Sequence, residues 1–174
     1  LTWPLAAQEY IAKVEHYGVE NGLSHREVNH IFEDSRGFIW IGTPKGLNRF
    51  DGYGFRQYTK EKDGLLFNDI QLIGEDADGW LWLTGPFGSD SICLYHPERG
   101  EVLSFAQKFG KSFRAVFGNS YIPDMLRADD GALWMSPSNS KTLIRYHPST
   151  GLKVILVKGL GNIRLNFISP AKTF

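Results

Sequence analysis

Val28-Asn-His-Ile-Phe-Glu-Asp-Ser-Arg-Gly-Phe-Ile-Trp-Ile-Gly42 decides the fold, because the chain repeats its pattern twice more. It aligns without gaps with Ile70-Gln-Leu-Ile-Gly-Glu-Asp-Ala-Asp-Gly-Trp-Leu-Trp-Leu-Thr84. It aligns again with Ile122-Pro-Asp-Met-Leu-Arg-Ala-Asp-Asp-Gly-Ala-Leu-Trp-Met-Ser136. The anchors are a glycine (Gly37, Gly79, Gly131) and a tryptophan three residues later (Trp40, Trp82, Trp134), spaced by 42 and then 52 residues. Aliphatic residues flank each tryptophan, so both faces of that strand are expected to be buried; a strand with one wet face would alternate.

Working outward, each anchor is followed by a second echo: Gly46–Asp51, Ile92–Pro97 and Leu143–Pro148. A Gly-containing turn comes next, then a short apolar run: Phe55–Tyr58, Val102–Phe105 and Leu152–Val157. Each unit therefore reads as four short strands joined by turns, the first turn needing the positive φ that glycine supplies. Repeats of this period and pattern predict an all-β chain. We expect a partial β-propeller of about three four-stranded blades with flanking strands, a piece of a seven-bladed ring. The boundaries read as 1–27 (signal remnant and N-terminal strand), 28–62, 68–107 and 122–158 (three blades), and 159–174 (the start of a fourth). The open faces of such a piece predict self-association.

Composition narrows the function. Nineteen basic and nineteen acidic residues cancel in a chain of 174, which argues against nucleic-acid binding and a polybasic membrane surface. The single cysteine, Cys93, excludes an internal disulfide and a thiolate zinc site, and reads as a small buried apolar residue. Leu1–Ala7 has the apolar, small-residue character of a signal-peptide tail or of an ordinary extended segment.

No catalytic constellation or cofactor motif emerges, and no metal is expected. The five histidines fall outside metal-binding spacings. His96 and His147 share one repeat position before proline and read as strand ends. His30, on the expected innermost strand, could face a central channel. The acidic pairs Glu33-Asp34, Glu75-Asp76 and Asp129-Asp130 read as turn caps. The connections Thr59–Asn68 and Ala106–Tyr121 share a rim with the loops Pro44–Lys45, Gly85–Ser91 and Pro137–Thr142. On that rim Lys45, Phe87, Asp90, Asn139 and Lys141 combine polar donors with an aromatic face, a combination suited to a sugar.

The stretch Asn21-Gly-Leu-Ser-His25 … Ile31-Phe-Glu-Asp-Ser-Arg-Gly-Phe-Ile-Trp-Ile-Gly-Thr43 … Gly46-Leu-Asn-Arg-Phe-Asp-Gly-Tyr53 resembles the two-component regulator propeller repeat. The second and third units match it more loosely. The resemblance implies the periplasmic sensor region of a hybrid two-component histidine kinase of Bacteroidetes, responding to oligosaccharides. It implies membrane anchoring and kinase activity in parts of the parent beyond these residues. Two alternatives stay open: a protein-interaction module, and a fragment of a streptogramin-lyase-like enzyme, whose repeats also carry Asp-x-x-Gly-x-Ile-Trp.

Overall fold

The structure, a computed structural model, describes residues 14–86, 92–118, 120–138 and 141–157. Among the described residues twelve strands form three antiparallel sheets of four, each in sequential order. Sheet one holds β1 (His30–Glu33), β2 (Ile39–Thr43), β3 (Gly46–Phe50) and β4 (Phe55–Tyr58). Sheet two holds β5 (Leu72–Glu75), β6 (Leu81–Thr84), β7 (Ile92–His96) and β8 (Glu101–Ser104). Sheet three holds β9 (Asp124–Arg127), β10 (Leu133–Ser136), β11 (Thr142–His147) and β12 (Gly151–Leu156).

The repeated turn explains the common start of each sheet. Gly37, Gly79 and Gly131 sit at φ 85°, 80° and 80°, a region costly for residues carrying a Cβ. In the first two units an aspartate organises the turn. Asp34 Oδ1 accepts the backbone N–H groups of Arg36 and Phe38 at 2.9 and 3.0 Å, and its Oδ2 accepts the Trp40 indole N–H at 2.7 Å. Asp76 repeats this with Asp78, Trp80 and Trp82 at 3.0, 3.0 and 2.9 Å. The third unit has Ala128 at that position. There Asp130 takes over one turn bond, from Ala132 N–H at 2.9 Å, and Trp134 is only half-buried.

Two cores hold the sheets together, and sheet two contributes to both. One gathers Trp40, Leu47 and Tyr58 of sheet one with Leu81, Leu83 and Tyr95 of sheet two. The other gathers Trp82, Ile92 and Leu94 of sheet two with Leu133, Ile144 and Tyr146 of sheet three. Accordingly β5, β6 and β7 are buried along their whole length, whereas β12 ends in four exposed residues. Buried Cys93 lies in sheet two, where burial pushes its thiol up to about 11. Glu75, almost sealed from solvent, ties all three sheets: it accepts bonds from the Ser35 backbone and hydroxyl, both at 2.9 Å, and pairs with Arg127.

The all-β partial propeller expected from the sequence is corrected by this architecture. The three sheets are separate, and none is closed into a barrel or curled as a blade of a ring requires. The two cores join sheet one to sheet two and sheet two to sheet three; neither contains residues of both outer sheets. Short helices also interrupt the strands: α1 (Lys60–Asp63), α2 (Phe105–Phe109) and α3 (Phe113–Phe117). Ahead of β1, residues 15–23 carry one 3-10 turn, Val19–Asn21. Leu1–Ala7 and the expected fourth unit at 159–174 lie outside the described residues.

Close approach of the sheets depends on small residues. A Cβ on Gly42 would lie 2.8 Å from the Ile70 carbonyl oxygen and 2.9 Å from Ile70 Cγ2. Gly42→Ala is therefore expected to lower stability by roughly 1–3 kcal/mol, the usual scale for overpacking. A urea midpoint unchanged from the parent would show that sheet one can shift away from Ile70 at no cost.

Candidate functional site

The strand directions bring the starts of β5 and β9 and the end of β6 to one end of the stack. There a cavity of about 250 Å³ opens between sheets two and three. Sheet two lines it with Gln71, Leu72 and Thr84; Phe113 of α3 and the segment Tyr121–Pro123 leading into β9 close the other side. The Gln71 backbone N–H donates to the Thr84 carbonyl at 2.8 Å, fixing the floor. Tyr121 is anchored through its backbone: its N–H donates to Ser138 Oγ at 3.1 Å, and its carbonyl accepts the Ser138 N–H at 2.7 Å. Its ring remains partly exposed. Phe113, by contrast, is buried against Phe105, edge to face at 5.5 Å.

A polar ledge runs from the cavity toward sheet one. Asp69 Oδ1 accepts Gln71 Nε2 at 2.6 Å and Asn29 Nδ2 at 3.2 Å. Next to Asn29, His30 is half-buried and its Nδ1 has no hydrogen-bond partner. Burial pulls the His30 imidazole below its ordinary range, partly offset by the charge of Asp124. The cavity is lined by aromatic and aliphatic side chains with the Gln71 amide and Thr84 among them, and the Gln71 amide is held by the Asp69 carboxylate outside it. Among the described residues no group of three or more His, Cys, Asp or Glu side chains is placed to hold a metal ion.

The rim residues singled out in the sequence distribute differently. Lys45 is exposed in the β2–β3 turn, and Lys141 is exposed just before β11; neither lines the cavity. Phe87, Asp90 and Asn139 lie outside the described residues. Gln71, Asp69, Phe113 and Tyr121 were missed. Phe113 and Tyr121 belong to the long Ala106–Tyr121 connection, whose length was the available signal. His96 and His147 each end a strand, β7 and β11.

The comparisons show a distant, low-identity resemblance to two-component sensor propeller domains. The family described as "Two component regulator propeller" matches residues 22–45. Histidine kinase P4 of Formosa agariphila is 42% identical over 43 residues, which is 25% of this chain and 3% of that protein. Among solved structures, the extracellular domain of BT3049 from B. thetaiotaomicron, assigned to a hybrid two component system, is similar with TM-score 0.58 and 16% identity. The match covers 86% of this chain and 24% of that one. A catalytically inactive virginiamycin B lyase from Staphylococcus aureus, solved with Quinupristin, has TM-score 0.58 and 17% identity over 84% of this chain and 46% of its own. These structural likenesses concern the fold alone, and the chain spans less than half the length of each of these relatives. What they support is a sheet-rich domain resembling either sensor domains or lyases. Among the described residues no helix is long and apolar enough to cross a membrane.

Proposed function

We propose that the chain is part of the extracytoplasmic, periplasmic ligand-sensing region of a hybrid two-component histidine kinase, and that it takes an oligosaccharide. The observation that carries the ligand is the cavity between sheets two and three, lined by Tyr121, Phe113, Gln71 and Thr84. Sugars present apolar C–H faces and a ring of hydroxyls, so aromatic side chains beside amide and hydroxyl groups match both. The similarity to the extracellular domain of BT3049, of a hybrid two component system, and to Histidine kinase P4 supports the signalling context. The likeness to virginiamycin B lyase favours a second reading, a lyase-type enzyme fragment, for which His30 is the candidate group.

Calorimetric titration with a panel of tetra- to hexasaccharides from plant and host glycans tests the proposal. One glycan class is expected to bind, and Tyr121→Ala to weaken it about tenfold, equivalent to about 1.4 kcal/mol. Because Tyr121 is 39% exposed, the melting temperature should stay near that of the parent. Binding untouched by Tyr121→Ala, or no heat with any glycan, would remove the cavity from consideration.

A further inference from the structure

Lys108, on α2, does not point into solvent. Its side chain is 14% exposed, and Nζ lies 3.5 Å from Oδ2 of the fully buried Asp76. Three aromatic rings surround the ammonium: Trp80 at 4.8 Å, Tyr146 at 5.1 Å and Trp82 at 6.0 Å from the ring centroids. Ring faces and a carboxylate are the elements that attract an alkylammonium group. Trp82 belongs to β6 of sheet two, Trp80 to the turn leading into it, and Tyr146 to β11 of sheet three, so the box straddles the seam between the sheets.

Among the described residues only the second seam fills this position with a lysine between ring faces and a buried carboxylate. At the first seam Phe38 stands at the place of Trp80 and the cations are arginines: Arg49 and Arg36 lie 4.5 and 5.3 Å from the Phe38 ring centroid, and Arg36 reaches Asp34 at 3.7 Å from an exposed position. In the third unit Ala128 and Ala132 occupy the places of Asp76 and Trp80. The cation of the second seam comes from outside the repeat, from the insertion Phe105–Phe117. Burial pulls Lys108 below the ordinary lysine range, while the charges of Asp76 and Asp78 raise it.

We propose that Trp80, Trp82, Tyr146 and Asp76 form a binding site for a primary alkylammonium group, and that Lys108 is its resident ligand. Held there, Lys108 latches the α2–α3 strap across the seam. Phe113 of the same strap lines the cavity, so one charge in the box controls the cavity wall. The box is argued from its own geometry and stands whether or not the cavity takes a sugar.

Removing the resident ligand tests this. In Lys108→Ala, amide hydrogen exchange across residues 105–117 is expected to speed up at least tenfold, with sheet one unaffected. Butylammonium chloride at tens of millimolar is expected to restore that protection in the variant and to leave the parent unchanged; butanol should not restore it. Lys108→Met, which keeps the apolar stem, guards against a variant that fails to fold, and should also lose strap protection. Strap exchange at the parent's rate in Lys108→Met would overturn the proposal. So would equal rescue of Lys108→Ala by butanol, which would reduce the box to an apolar hole.

Discussion

Asp76→Ala is expected to lower stability by about 3–5 kcal/mol, the range for leaving a buried charge without its partner. The side chain is fully buried and serves four groups at once. Two backbone N–H groups of the turn and the Trp82 indole N–H bond to it, and the Lys108 ammonium sits beside it. Alanine leaves all four without that partner, and the buried Trp80 N–H and Trp82 indole N–H are the costly ones to leave unmet. At roughly 2–4 °C per kcal/mol for a domain of this size, the melting temperature should fall by about 6–20 °C. Asp34→Ala should cost less, because its three hydrogen bonds are matched but Arg36, its cationic neighbour, is well exposed. The third unit already carries alanine here. It tolerates Ala128 because Trp134 is half-buried and Asp130 supplies the turn with another carboxylate. Equal melting temperatures for Asp76→Ala and Asp34→Ala would show that Lys108 adds nothing to the demand on Asp76.

How much of this was legible follows from where each signal resides. The glycine-to-tryptophan spacing is local, and it marks the hairpins β1–β2, β5–β6 and β9–β10 because turn and strand are both encoded within a few residues. The Tyr-His-Pro ends of β7 and β11 are legible for the same reason. The second role of Asp34 and Asp76 was not: both read as turn caps, but their other oxygen reaches an indole six residues on. Ring closure is set by the curvature of each sheet and the angle between neighbours. The repeat period carries neither, and three similar units can stack openly as they do here.

The helices of the strap had a signal that their shortness masked. Ser104 and Gln107 form a reciprocal capping box around α2, and Ser112 caps α3; Phe105 and Phe109 stand four residues apart on α2, their rings 4.5 Å apart. The candidate site is less legible still. Gln71 follows the connection after sheet one, Tyr121 precedes β9, and only the packing of sheet two on sheet three makes them neighbours. Of the loop residues the sequence singles out, Lys45 and Lys141 are exposed and are not among the residues lining the cavity.

Trp82→Ala is expected to cost about 3–5 kcal/mol, the range for deleting a buried large aromatic. Trp82 is wholly enclosed at the meeting point of sheet two, sheet three and the strap. Its ring lies 4.9 Å from Tyr146, 5.7 Å from Phe109 and 6.4 Å from Phe105. Alanine would leave a void bordered by rigid rings on two sides, which collapse poorly. It would also leave Asp76 Oδ2 facing that void. Trp134→Ala, the same change one repeat later, should cost only about 1–2 kcal/mol, because a half-buried side chain returns less apolar surface to water. Trp82→Phe separates the two parts of the loss: it refills most of the volume but not the indole N–H, and should fall between the parent and Trp82→Ala. Chemical denaturation of the three variants reads the order directly. If Trp134→Ala proved as damaging as Trp82→Ala, the face of sheet three would have to be covered as completely as the seam between sheets two and three.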